Sequence, residues 1–369
     1  MIAAYVGMGL PTAALGVAWP SMRAEVGRPL SSLGLLIVSF TAGYLLATTG
    51  HARLMRHVGT GALLVVASAL AAAGAGAFAV TSTWAVLLVG AAVLGVSGGA
   101  VDAALNAHVA LYRSDRMMHL MHGGFGVGAT IGPLVMTALL SAGLSWRWGY
   151  GALAALQVGL AAGFLVSRHH WPVAADRTRP HRRAAASRRS AAEWLGPSVF
   201  LAYGAVEVGV GAWAFVLLTG RGLGEAAAGA CVTAYWGALA AGRLGIGALG
   251  SRVTSRQVVA ASVAGVAVGS VALWLLPASA SAVALVAVGA SLAGIFPALT
   301  ALTPSRVGPE RAPAVIGRQL AAAVVGGAIG SAAIGIAAQR LGAEAVAPAV
   351  VVVSAVLVAT DVMLTLAST

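Results

Sequence analysis

The chain has 369 residues, 59% of them apolar and only 9% charged, with a mean hydropathy of +0.92. A soluble globular domain carries about a quarter charged residues, so this composition excludes one and points to a membrane protein. The formal net charge of +12 rests on arginine alone, set in short clusters between long apolar runs; that pattern sets topology in a bilayer and excludes nucleic-acid binding.

Cutting the sequence at its polar and basic turns gives twelve apolar segments, each near the ~20 residues that a spanning helix needs. They lie near 2–20, 31–51, 60–80, 84–112, 116–141, 147–167, 194–219, 225–249, 256–276, 281–303, 312–338 and 345–367. Runs such as Val350 to Val353 have strand-like composition, but their length and Ala, Gly and Leu context predict helix. In lipid only helices and closed barrels satisfy their own backbone. The first segment starts at residue 2 with no basic stretch before it, which predicts a spanning helix and not a cleaved signal peptide.

Arginine placement predicts the orientation. Counted from a cytosolic N-terminus, inner turns hold Arg53, Arg56, Arg113, Arg116, Arg243, Arg252, Arg256, Arg306, Arg311 and Arg318. With the arginines from Arg168 to Arg189, seventeen of the 22 fall inside, against Arg23, Arg28, Arg147, Arg221 and Arg340 outside. The positive-inside rule therefore predicts both termini in the cytosol. The stretch from Arg168 to Ser190, rich in Arg, His, Ala and Ser, reads as a flexible cytosolic linker lying against anionic lipid headgroups. The predicted domains are a six-helix bundle at 1–167, a linker at 168–192 and a second bundle at 193–369.

The two halves repeat one another faintly. Val38–Ser68 aligns without a gap on Val232–Ser262, each covering the second helix of its half, an inner turn and the start of the third. In the fourth helices, Gly90 and Gly95 match Gly289 and Gly294. Two like-oriented halves of six helices are a transporter architecture, with the solute site between them at mid-membrane. Gly123–Gly132 and Gly326–Gly335 suit helices that pack closely or slide.

Twelve helices in two halves with a basic central linker resemble the major facilitator superfamily. The usual inner-turn signature, Gly-x-x-x-Asp-Arg-x-Gly, is degraded: Gly50 to Gly61 reads GHARLMRHVGTG, and the second-half turn from Gly242 reads GRLGIGALGSRV, both without the acid. More specific are GGAVDAALNAHV (Gly98–Val109), MHGGFGVGATIGP (Met121–Pro133), YGAVEVGVGAW (Tyr203–Trp213), YWGALAAGRL (Tyr235–Leu244) and GASLAGIFPALTAL (Gly289–Leu302). These are similar to the fucose permease-like branch, which includes proton-linked sugar permeases and sodium-linked glucose carriers. The resemblance implies an all-α integral membrane protein of the major facilitator fold and a sugar:proton symporter.

Of ten acids, three lie within apolar runs: Asp102, Glu207 and Asp361. An ionisable group inside a spanning helix is costly and marks an ion or substrate path. Asp102 falls where the resembling permeases carry an acid, and Asn106 lies one turn on, on the same face. Asp102 is the expected proton-coupling carboxylate, with His122 as a relay partner; the bland alternative is an Asp bonded permanently to Asn106 or to a histidine of the fifth helix. His119, three residues before His122, reads as interfacial, and His108 as an uncertain polar lining residue. Glu207 is expected to accept hydrogen bonds from solute or to hold a fixed interhelical bond. Trp213 and Tyr203 offer a flat surface for a sugar ring, and Gln157, Thr300 and Gln319 neutral hydrogen-bonding groups; packing and interhelical contacts are the alternatives. Asp361, near the inner end of the last helix, is expected to snorkel or to form a salt bridge. Glu25, Asp115, Asp176, Glu193, Glu225, Glu310 and Glu344 are expected to be solvated in turns, in the linker or at helix ends.

No catalytic residues, cofactor or metal site are predicted. Cys231 stands alone, and with no lysine there is no phosphate-binding Gly-x-x-x-x-Gly-Lys-Ser/Thr loop. The expected function is a monomeric secondary transporter of the inner membrane. It would move a small polar solute, a sugar or polyol, by alternating access with proton (or sodium) coupling. The alternatives are a proton-driven exporter of drugs or metabolites, whose cavity tolerates fewer polar groups, and a membrane sensor or enzyme.

Overall fold

The structure, a computed structural model, describes residues 1–112, 115–171, 191–249, 252–308 and 311–368. Within these, the side chains of 49–58, 107, 110–112, 115, 116, 118, 119, 247–249 and 313 lie outside the description. The readings given above for Arg53, Arg56, Arg113, Asp115, Arg116, His119, Asp176, Glu310 and the linker arginines beyond Arg168 fall there.

Every long element among the described residues is an α-helix. The first half holds α1 (Ile2–Glu25), α2 (Leu33–Val58), α3 (Thr60–Val80), α4 (Trp84–Tyr112), α5 (Asp115–Ser141) and α6 (Trp146–Ser167). The second holds α7 (Ala192–Gly220), α8 (Glu225–Leu249), α9 (Ser255–Leu275), α10 (Ala278–Leu292), α11 (Ile295–Val307), α12 (Ala312–Leu341) and α13 (Val346–Leu366). Eleven spans among the described residues are long and apolar enough to cross a bilayer, with α10 and α11 joined as one; α8 is the helix outside that set.

The single tenth helix expected from sequence is broken at Ala293–Gly294. Pro297 explains the position: it has no N–H to donate, and its ring crowds the carbonyl four residues back, that of Ala293. Helix ends elsewhere follow local chemistry. Gly143 (φ 73) closes α5 and Gly222 (φ 87) closes α7. In each turn the next residue's N–H reaches back to a helix carbonyl, Leu144 to Leu139 and Leu223 to Leu218. Thr254 and Gln257 form a reciprocal capping box at the start of α9.

The chain divides into two compact units, Met1–Thr178 and Arg179–Thr369. In the first, α1 packs on α5, α2 on α4 and α3 on α6; in the second, α7 packs on α12, α8 on α10 and α9 on α13. One pairing scheme thus serves both halves. The glycines repeat it: a Cβ on Gly128 or Gly132 of α5 would strike the carbonyl oxygen of Val6 or Leu10 in α1, and one on Gly326 or Gly330 of α12 would strike backbone of Leu201 or Ala205 in α7. These stretches serve close packing inside each half. The glycine match in the fourth helices needs a shift. Gly95 abuts the carbonyl of Phe40 as Gly289 abuts that of Tyr235, so Gly95, not Gly90, is the counterpart of Gly289.

An ion pair clamps each half at one end, with the signs exchanged. In the first, Arg147 at the start of α6 pairs with Glu25 at the end of α1 and donates to Thr81 O (2.7 Å) and Ser82 Oγ (3.0 Å) beyond α3. In the second, Arg221 after α7 pairs with Glu344 before α13 (2.9 Å) and donates to Leu273 O and Ser281 Oγ, both at 2.6 Å. Each guanidinium supplies donors to carbonyls that a helix end leaves unpaired. Glu25 and Glu344 are therefore bonded rather than merely solvated. Glu25→Gln should cost at most about 1 kcal/mol, since that side chain is 41% exposed. Arg147→Met should cost more, because it strips the α3 carbonyls of their donors and leaves Glu25 with only Trp146 Nε1 as a partner. Melting temperatures in detergent would rank the two.

Candidate functional site

In the first half, four helices converge on Asp102 of α4. Tyr5 of α1 donates its hydroxyl to Asp102 Oδ1 and Tyr44 of α2 donates to Oδ2, each at 2.6 Å. Asn106, one turn along α4, donates Nδ2 to Asp102 Oδ1 (2.9 Å), to the Asp102 backbone carbonyl (2.9 Å) and to Tyr5 Oη (3.0 Å). With its amide nitrogen facing these acceptors, Asn106 turns Oδ1 outward, where it meets His122 Nε2 of α5 at 3.1 Å. An amide oxygen only accepts, so His122 carries a proton on Nε2. The edge of the His122 ring also meets the Tyr5 ring, 5.2 Å between centroids.

The expected trio of Asp102, Asn106 and His122 is thus brought together, in a different order from the one anticipated. Asn106 stands between the acid and the imidazole, and an amide does not pass a proton along as a hydroxyl does; His122 orients Asn106. The bland alternative foresaw a bond to Asn106 but not the two tyrosines. No ion pair reaches Asp102 among the described residues; its charge is met by three neutral donors. A cavity of about 20 Å³, room for about one water, lies between Gly98, Val101, Ser97, Ser68 and Gln157, and Asp102 is not in its lining.

In the second half the central polar group is an ion pair. Arg243 Nη2 of α8 donates to Glu207 Oε1 (3.1 Å) and to Tyr203 Oη (2.9 Å), both on α7. Tyr235 of α8 donates to the backbone carbonyl of Glu207 (2.9 Å). Arg243, counted above among the inner-turn charges, instead lies inside α8 as the partner of Glu207.

The remaining expected residues have internal partners. Trp213 is fully buried and donates Nε1 to Ser331 O at 2.8 Å, so it has no open face for a sugar ring in this conformation. The Tyr203 ring is likewise buried, packed near Phe296. Gln157 is buried and donates to Gly7 O (3.1 Å), Gln319 accepts from Thr303 (3.1 Å), and Thr300 bonds Phe296 O within its own helix. His108 is buried, its ring edge-on to Trp171 at 5.0 Å. Glu193 corrects the solvated reading: it is buried, bonded to Arg311 (2.6 Å) and near Arg318 (3.6 Å). Asp361 neither snorkels nor forms an ion pair among the described residues; it is buried, with Oδ1 lacking a hydrogen-bond partner.

Sequence reasoning missed Tyr5, Tyr44, Tyr235 and the pairing of Arg243 with Glu207. One signal was available: the chain has only six tyrosines, and a buried tyrosine hydroxyl in an apolar helix demands a partner. Four of the six bond to the Asp102 or Glu207 group.

Two like halves of apolar helices, each with a polar group held inside it, define a multi-pass membrane transporter. The chain belongs to the Major Facilitator Superfamily, whose family profile matches residues 1–331. Among curated proteins, the Sodium-dependent glucose transporter 1A of Mus musculus is 30% identical over 138 residues, 37% of this chain and 32% of the relative. The Sodium-dependent glucose transporter 1 of Rattus norvegicus is 30% identical over 136 residues, 36% of this chain and 28% of the relative. The matched stretch spans about a third of these relatives' length. A crystal structure of a bacterial homolog to the human lysosomal transporter Spinster covers 100% of this chain and 95% of its own at TM-score 0.79 and 13% identity. The nucleoside transporter NupG covers 99% and 97% at TM-score 0.76 and 12% identity. At these identities the structures speak for the fold alone.

Proposed function

We propose that the chain is a symporter of the fucose permease-like branch. It moves a small polyhydroxylated solute across the inner membrane by alternating access, with a proton carried on Asp102. The observation that carries this reading is the single acid inside α4 whose two oxygens are held by hydroxyls from α1 and α2 and by an amide, with no cationic side chain bonded to it among the described residues. When such a carboxylate takes up a proton, one acceptor oxygen becomes a donor and its bond with a tyrosine hydroxyl must reverse direction or be given up. The change is felt at once by three helices of the half. His122 and Asn106 keep the carboxylate oriented.

Hydroxyl-rich solutes fit because the polar group inside each half contains both donors and acceptors. The relatives named for glucose carry a solute of that kind. Both termini are placed in the cytosol by the arginine distribution, and the carrier acts as a monomer surrounded by lipid.

Proteoliposomes loaded with neither gradient, a pH gradient or a sodium gradient test the coupling. Labelled glucose, fucose and uridine should accumulate against a concentration gradient only when the outside is acid. Accumulation driven by sodium alone would reassign the ion, and export of lipophilic cations without sugar uptake would reassign the direction and the solute.

A further inference from the structure

A guanidinium has five N–H donors in a fixed fork and no way to accept. In Arg243 only Nη2 is engaged, by Glu207 and Tyr203. Its Nε–H is buried with no hydrogen-bond partner, while the side chain as a whole keeps 27% of its surface accessible. Several other buried polar groups of this half are matched, Ser270 with Ser354 at 2.9 Å, Trp213 with Ser331 at 2.8 Å and Thr303 with Gln319 at 3.1 Å, while Asp361 Oδ1 is not. A buried donor on a charged group costs free energy when left unmade, and such a vacancy calls for a reason.

A second vacancy lies on the same helix face. Trp236, seven residues before Arg243 in α8, also has a buried Nε1–H without a partner, and its ring packs against Gly211 of α7. Seven residues are two turns, so the Cα atoms of Trp236 and Arg243 lie on the same face of α8, about 10 Å apart along the axis. On α7 the facing positions are Tyr203, Glu207 and Gly211, spaced by one turn each. The α7–α8 seam therefore holds unused guanidinium donors of a partly accessible Arg243 beside one acidic group whose charge Arg243 already balances. A neutral solute with an oxygen in reach of the guanidinium meets this pattern; an anion would find its attraction to Arg243 offset by Glu207.

We propose that Arg243 is a solute-binding residue of the second half, donating its unengaged N–H groups to an oxygen of a neutral polyhydroxylated solute, with Glu207 as the positioning residue. The inference rests on the symport reading above. It concerns recognition and not coupling, so it is tested without any ion gradient.

The test is equilibrium exchange of labelled glucose, myo-inositol and uridine in proteoliposomes, for wild type, Arg243→Lys and the double variant Arg243→Gln with Glu207→Gln. Lysine keeps the charge beside Glu207 but loses the fork; the double variant removes both charges together and leaves no lone ion. Wild type should exchange at least one of the solutes. Both variants should raise its half-saturation concentration about tenfold, the loss of roughly one charge-assisted hydrogen bond, with maximal rate and melting temperature retained. An unchanged half-saturation concentration in Arg243→Lys or the double variant overturns the assignment of Arg243 and leaves the symport reading standing. A wild type that exchanges none of the three overturns both.

Discussion

Asp102→Asn is expected to abolish proton-driven accumulation while solute exchange continues. Asparagine has the same shape as the carboxyl group it replaces and still offers one oxygen to Tyr5, so the packing of α1, α2 and α4 is kept. Its amide cannot gain and lose a proton in the working pH range, so a charge can no longer be loaded on one side and released on the other. Uptake under an acid-outside gradient should stop at equilibrium with the bath. Exchange of labelled for unlabelled solute should proceed at all pH values, with less dependence on pH than in wild type. Full accumulation by the variant would remove Asp102 from the coupling step.

The second large effect is on folding. Gly128→Ala and Gly326→Ala each place a methyl against a backbone carbonyl, of Val6 and Leu201 respectively, where no side chain can rotate away. The paired helices, α1 with α5 and α7 with α12, must then separate along their length. Overpacking of this kind costs about 3 kcal/mol or more when backbone has to move. Gly163→Ala in α6 is the internal control, since nothing lies within 4 Å of the added methyl. It should leave stability unchanged or raise it by up to about 1 kcal/mol through helix propensity. Thermal unfolding in one detergent would separate the variants; equal melting temperatures would refute the close contact.

The spans were legible because lipid imposes length and apolarity on every crossing segment, and all twelve expected segments coincide with helical chain. The α10–α11 break was legible in principle from Pro297, but a proline within an apolar run kinks or breaks a helix according to what its neighbours supply. Asp102, Asn106 and His122 were found because polar groups in spanning helices are few and their spacing along or between neighbouring helices restricts whom they meet. Tyr44 and Tyr5 were not found, since each looks like an ordinary aromatic until α1, α2 and α4 are brought together. Arg243 was misplaced for a related reason: a lone arginine near a helix end reads as a topology charge, and only the packing of α8 on α7 reveals Glu207 as its partner. Trp213 shows the reverse, an aromatic with a plausible solute face that the bond to Ser331 uses internally.

Proton movement itself decides the central claim. Wild-type proteoliposomes in weakly buffered medium, given a solute gradient directed inward, should alkalinise the medium as solute enters, with a fixed ratio of protons to solute, and Asp102→Asn should give solute entry with no pH change. Solute entry through the wild type without any pH change, or an equal alkalinisation by the variant, would contradict the account.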